Sequence, residues 1–309
     1  MANAAAVTGV AAGLFTIGLW GSLPVLRGLA ELPPMLVAVV AMACAAGLSA
    51  VMARFQALPG SERQVFGWRY WAGGVGGLVG ALYFYFLALE SGDPARITLI
   101  TYTWPLGFVL ICDRLAGRGL KPRTLVGSAV AFAGLAPLIL ADGQGLTTPV
   151  GAYAAGLASG ASWIAFSLFL RQAGPLSSRS YQSLFAHASL IALGLHVVFE
   201  TMPATTTSSD WLTAGLIGIG PYGIAFMAWG YALRCGPTNL VSVLTYLVPV
   251  VAAVFLIALG LSDPSTELFI AAAAIAAGAL FSQGPWLRRS SAGRGWAVTG
   301  RWRDRSRSA

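Results

Sequence analysis

Apolar side chains run along this chain in long unbroken stretches, and the polar residues gather in the short gaps between them. Stretches of spanning length fall at about 5–27, 34–53, 70–90, 94–113, 122–141, 149–171, 181–200, 211–233, 237–258 and 265–286. A bilayer core needs roughly 20 apolar helical residues to cross it, so the pattern predicts ten transmembrane helices. The joins carry turn residues: Pro33-Pro34, Gly92-Asp93-Pro94, Lys121-Pro122, Gly236-Pro237 and Asp263-Pro264. The longest joins, near 54–69 and 201–210, are too small to be domains. The first stretch has no basic region ahead of it and continues to Arg27, too long for a signal-peptide core, so it reads as a first span.

The stretch from Glu90 to Leu110 has an echo from Arg234 to Val254. At an offset of 144 residues Gly92 falls on Gly236, Thr101-Tyr102 on Thr245-Tyr246 and Pro105 on Pro249. The same offset puts Ala88-Leu89 on Ala232-Leu233, Tyr85 on Trp229 and Gly134 on Gly278, and an offset one residue shorter puts Trp20 on Trp163. The chain is therefore expected to be two five-helix units, 1–143 and 144–287, followed by a basic tail, 288–309. Five is odd, so the second unit enters the membrane from the opposite side, as an inverted repeat. The expected fold is an all-α integral membrane protein, ten helices in two inverted repeats around a central cavity. Proline removes a backbone donor and clashes with the preceding turn. Pro105 and Pro249 are thus expected hinges, each freeing the carbonyl four residues back, on Thr101 and Thr245.

Composition agrees with the pattern. Only 10% of residues are charged and 57% are hydrophobic, against about a quarter charged in a soluble domain. The net charge of +8 would suit nucleic acid, but its distribution does not. Of the 19 Lys and Arg, 17 fall in the even-numbered joins and the tail, leaving Arg27 and Arg96 on the other side. Glu31, Glu90, Asp93, Asp142, Glu200, Asp210, Asp263 and Glu267 run the opposite way. Positive charge marks the cytoplasmic side, so both termini are expected there, and the basic tail is a topology signal resting on anionic lipid. Cys44, Cys112 and Cys235 stand singly in apolar runs and read as small buried hydrophobes.

Ten spans, two repeats, WGSLPVLRG in span one and ALESGDPARITLITYTWPLGFVL across spans three and four resemble the drug/metabolite transporter superfamily. The similarity is to its EamA-type members, most of all the YddG-type amino acid exporters. That resemblance implies a secondary transporter in a bacterial-type inner membrane, exporting small amphipathic metabolites, foremost aromatic or neutral amino acids, by alternating access. It implies no cofactor and no metal. The expected partners are a small-molecule substrate and the lipid bilayer, with no nucleic acid, and the chain is expected to work as a monomer.

The residues themselves nominate a site. Tyr102 and Tyr246 lie about eight and nine residues into their spans, near the midplane at 1.5 Å per residue. A phenol at that depth needs a hydrogen-bond partner. Tyr222, Phe226 and Trp229 recur on one helix face, and Tyr83, Phe86 and Glu90 do so in span three. Trp20 and Trp163 lie deeper than the interfacial belt where Trp usually sits, whereas Trp68, Trp71, Trp211 and Trp286 fall at span ends. With Asn239, the expected substrate-binding set is Trp20, Tyr83, Tyr102, Trp163, Tyr222, Trp229, Asn239 and Tyr246. No carboxylate is central, and His187 and His196 are the only mid-membrane titratable groups besides tyrosines. Such a cavity suits a neutral amphipathic molecule; a zwitterionic amino acid fits, and purines or lipophilic drugs are the alternative. A phosphorylated substrate would call for central Lys or Arg. A membrane enzyme would need clustered acids, histidines or a nucleophile beside a base, which the sequence does not offer, and a scaffold would leave the matched prolines unexplained.

Overall fold

The computed structural model describes residues 2–55, 66–92, 94–115, 117, 122–141, 148–261 and 263–283. Every regular element among them is a helix, with no strand among the described residues. Seven helices among the described residues are long and apolar enough to cross a membrane: Ala4–Gly28, Pro34–Phe55, Tyr70–Ser91, Val150–Gln172, Ser178–Phe199, Ser208–Cys235 and Thr238–Ala258. Thr266–Gly278 adds a shorter apolar stretch. The basic tail lies outside the described residues, as do the side chains of Arg96 and Asp142.

In chain order the elements are α1 (Ala2–Gly21), α2 (Leu23–Gly28), α3 (Pro34–Phe55), α4 (Gly77–Ser91), α5 (Pro94–Thr101), α6 (Trp104–Leu115) and α7 (Pro122–Ala141). There follow α8 (Val150–Gln172), α9 (Ser178–Phe199), α10 (Ser208–Ile217), α11 (Ala225–Cys235), α12 (Thr238–Leu244), α13 (Leu247–Ala258) and α14 (Thr266–Gln283). Wider, π-helical turns at Tyr70–Gly76 and Gly218–Ile224 lead into α4 and α11. Proline begins several of the helices, at Pro34, Pro94 and Pro122, where its missing N–H is one the helix could not have paired anyway.

Helices pack α3 on α9, α7 on α14, α4 on α8 and α1 on α11. Without a hydrophobic drive between helices in lipid, close approach of small residues does this work. At the α7–α14 crossing, a side chain on Gly134 would collide with Ala274, and one on Gly278 with the Gly127 carbonyl. Gly9 in α1 likewise lies against the backbone of Cys235 and Gly236.

Polar groups close one end of the α3–α9 pair. The Glu200 carboxylate accepts from Met35 N at 2.8 Å and Leu36 N at 3.3 Å, pairing free donors at the start of α3, and is itself held by His196 Nδ1 at 2.8 Å. Asp210 accepts from the Glu31 amide at 2.9 Å and forms a capping box with Thr207 at the start of α10. Trp68, Trp71 and Trp211 are exposed at helix ends, where the belt anchors were expected.

Candidate functional site

Two helices are broken at matching places. α5 ends at Thr101 and α6 begins at Trp104; α12 ends at Leu244 and α13 begins at Leu247. Short-range bonds carry the chain through each gap: Thr103 N to Ile100 O (3.2 Å) at the first, and Tyr246 N to Val243 O (3.2 Å) at the second. The prolines sit just past the gaps, in the first turns of α6 and α13. The expected release of both carbonyls therefore needs correcting at one of them. The Thr245 carbonyl accepts from Val248 N at 3.0 Å, because the tighter turn brings a donor one residue earlier than proline would have supplied it. The Thr101 carbonyl instead lies against α8, where a side chain on Gly160 would come within 3.3 Å of it.

Beside the first break the rings gather. Trp20 of α1 lies 5.6 Å from Trp163 of α8, 5.4 Å from Trp229 and 5.9 Å from Phe226 of α11. Trp104, at the start of α6, closes the group at 6.3 Å from Trp163 and 6.1 Å from Trp229. Tyr222 stacks on Phe226 at 5.3 Å. Four tryptophans from four helices thus form one box. Tilted and edge contacts at these separations are the favoured aromatic geometries. The box also meets its own polar needs: Trp20 Nε1 donates to the Pro221 carbonyl at 3.0 Å, in the widened turn before α11, and Trp229 Nε1 donates to Ser167 Oγ at 3.2 Å. Trp20, Trp104 and Trp229 are buried, while Trp163 keeps partial exposure and is the open wall.

The other expected residues are placed apart from the box. Tyr246 is fully buried with Phe132, Val243 and Ile275 in a second cluster around α7, α12 and α14, and Tyr102 packs on that cluster's edge. The Tyr246 hydroxyl lies by the Leu106 backbone without reaching hydrogen-bond geometry and has no partner among the described residues. Tyr85 pairs with Thr98 at 2.9 Å and is close enough to Tyr102 to interact electrostatically. Tyr83 packs against Phe84 and the exposed Phe199. Asn239 donates to Thr124 of α7 at 2.9 Å, a helix-to-helix tie. His187 pairs with Tyr70 at 2.7 Å among the rings of Phe66 and Trp71.

One cation reaches the core edge, with a guanidinium nitrogen of Arg234 buried. The Arg234 guanidinium and Tyr181 hydroxyl meet over Gly230, in space that a side chain there would fill. Trp104 is the member of the box that the repeat passes over, because its counterpart at the 144-residue offset is Val248. Its place directly before Pro105, inside the broken helix, was the available signal.

Comparison with known proteins decides the family. Residues 147–283 match the EamA-like transporter family. An aromatic amino acid exporter, YddG, of Ancylobacter novellus is 33% identical over 274 residues, covering 86% of this chain and 94% of that protein. The chain belongs to the EamA-type, YddG-like transporters. A solved crystal structure superposes on this transporter with a TM-score of 0.82 at 29% identity, covering 92% of this chain and 99% of the other. The transporter is a multi-pass membrane protein.

Proposed function

We propose that this chain is a secondary exporter of aromatic or other neutral amino acids, built as ten transmembrane helices in two inverted five-helix units, 1–143 and 144–287. The packing supports the inverted repeat. Exchanging the two halves turns the α4–α8 pair into the α11–α1 pair, and returns α3–α9 and α7–α14 to themselves. Such a chain can open to either side by exchanging the conformations of its halves. The basic joins and tail support a reading with both termini on the cytoplasmic face of a bacterial-type inner membrane.

The observation that carries the substrate reading is the four-tryptophan box, to which both halves contribute. Its partly exposed Trp163 offers a flat apolar face. Outside the box, the hydroxyls of Tyr85 on α4 and Thr98 on α5, which pair at 2.9 Å, and of Tyr102 at the first break are assigned to an ammonium and a carboxylate. Stacking on an aromatic side chain together with hydroxyl contacts selects a zwitterion with an apolar end. The name of the Ancylobacter relative favours the same substrates.

Purified transporter in liposomes, preloaded with unlabelled amino acid, should take up labelled phenylalanine or tryptophan by counterflow, with and without a pH gradient. Purines and lipophilic drugs form the comparison arms; exchange of these alone would replace the amino acid reading. Orientation is tested separately. A cysteine at position 93 should react with an impermeant thiol reagent in intact cells, and one at position 122 should not.

A further inference from the structure

The two ends of the α3–α9 pair differ. At one end Glu200, His196, Glu31 and Asp210 are tied into helix caps. At the other a cleft of about 440 Å³ opens between the last turn of α3 and the first turns of α9, lined by Ala50, Ala53, Arg54, Arg179, Gln182 and Ser183. Ala50 and Ala53 are one helical turn apart, and their small side chains leave the space. Arg179, Gln182 and Ser183 share one face of α9 by the same spacing, and set a cation and two neutral polar groups opposite. Among the described residues no carboxylate lines the cleft.

Helix stability does not account for Arg179. A cation in the first turn of a helix opposes the helix dipole, and α9 has no acidic residue in that turn to offset it. Nearby on α3, Val51, Met52 and Phe55 are exposed apolar side chains. Two arginines flank a polar cleft, and an apolar helix face runs from it into the bilayer. Taken with the membrane-spanning reading of α3 and α9, this is the arrangement by which a basic inter-helix pocket takes an anionic headgroup.

We propose that this cleft binds the phosphodiester of an anionic phospholipid of the phosphatidylglycerol type. Arg54 and Arg179 hold the phosphate oxygens, Gln182 and Ser183 meet the glycerol hydroxyls, and the acyl chains lie along Val51 and Phe55. Arginine suits the role because its planar donor set matches phosphate geometry. The site is remote from the tryptophan box in role and in residues, so its test does not depend on the transported substrate.

Full-length transporter in a neutral detergent, titrated with phosphatidylglycerol or phosphatidylcholine, is read by native mass spectrometry and by thermal unfolding. Wild type should retain phosphatidylglycerol preferentially and melt at a higher temperature in its presence. Arg54→Gln with Arg179→Gln should weaken that retention by about thirtyfold, the loss of two basic contacts at a membrane surface. Ala50→Phe, which fills the cleft and keeps both charges, should also abolish the preference, whereas Arg114→Gln at the end of α6 should not. Equal retention of both lipids by wild type, or undiminished preference in the double and filling variants, would overturn the site. If inorganic phosphate alone reproduces the thermal shift and displaces the lipid, the cleft is a free-anion site and the lipid assignment is wrong.

Discussion

The two broken helices share one local sequence and differ in what surrounds them. At the first break Thr101 reaches across to α8, its Oγ1 donating to the Gly156 carbonyl at 3.3 Å, and Trp104 projects into the ring box. At the second break Thr245 turns inward, its Oγ1 donating to Ser242 O of its own helix at 2.6 Å, and Tyr246 is sealed behind Phe132. Identical threonine, tyrosine and proline positions therefore do not make identical sites. One break is keyed to a neighbouring helix and the other is closed on itself. The proposed inverted repeat, held in one state, would require such a difference, since under alternating access each half must adopt in turn what the other has just left.

The prolines should give the largest effects. An alanine at 105 restores a backbone donor within reach of the Thr101 carbonyl, which would let α5 and α6 fuse into one straight helix. At 249 the same change must compete with Val248, which already bonds the Thr245 carbonyl. Pro105→Ala is expected to lower counterflow at least about tenfold, equivalent to a shift of ~1.4 kcal/mol between states, and Pro249→Ala to lower it less. Cysteine accessibility on the two faces should show the variants biased toward opposite openings. Wild-type flux in both would mean the breaks are fixed architecture and not hinges.

Much of this comparison was legible in the sequence. The offset that aligns Thr101-Tyr102 with Thr245-Tyr246 located both breaks to within a few residues, because proline and glycine act on the backbone locally. The deep tryptophans were legible for a similar reason, since an indole far from the interface contradicts its usual placement. What could not be read was which of these side chains meet. Tyr83 and Asn239 carry the right chemistry, yet the rotation of their helices turns them to Phe199 and Thr124. Trp104 was overlooked for the converse reason: it has no aromatic counterpart, and the box uses it in one half only.

The tyrosines sharpen the contrast at intermediate size. Tyr246 carries a buried hydroxyl with no partner among the described residues, a condition that costs on the order of 1–3 kcal/mol. Tyr246→Phe should then stabilise this conformation by about 1 kcal/mol, seen as a higher midpoint in thermal unfolding. Tyr102, beside Tyr85, is expected to respond differently. Tyr102→Phe should leave stability nearly unchanged and weaken amino acid binding about fivefold, the value of one hydrogen bond of ~1 kcal/mol. Should Tyr246→Phe lower the midpoint instead, its hydroxyl has a partner and the second break is not closed as described.

The threonines give the smallest effect and the most direct one. Thr101 ties α5 to α8 through its hydroxyl, and a polar bond between membrane helices is worth about 0.6 kcal/mol on average. Thr245 bonds a carbonyl three residues back in its own helix, a local bond that slightly destabilises and bends helices. Valine keeps the shape of threonine while removing the hydroxyl. Thr101→Val should therefore cost about 0.6 kcal/mol, and Thr245→Val should be neutral or slightly stabilising, both measured by equilibrium unfolding in mixed micelles. A second cycle separates the helix tie from general packing. With Gly156 replaced by alanine, which would meet Ile100 and press on Thr101 Oγ1 at 3.4 Å, the Thr101→Val effect should shrink, because residues in contact are not additive. The same background should leave Thr245→Val unaltered. Equal coupling at both threonines would show that the two breaks are energetically alike, and the difference in their surroundings would then have no bearing on how the halves move.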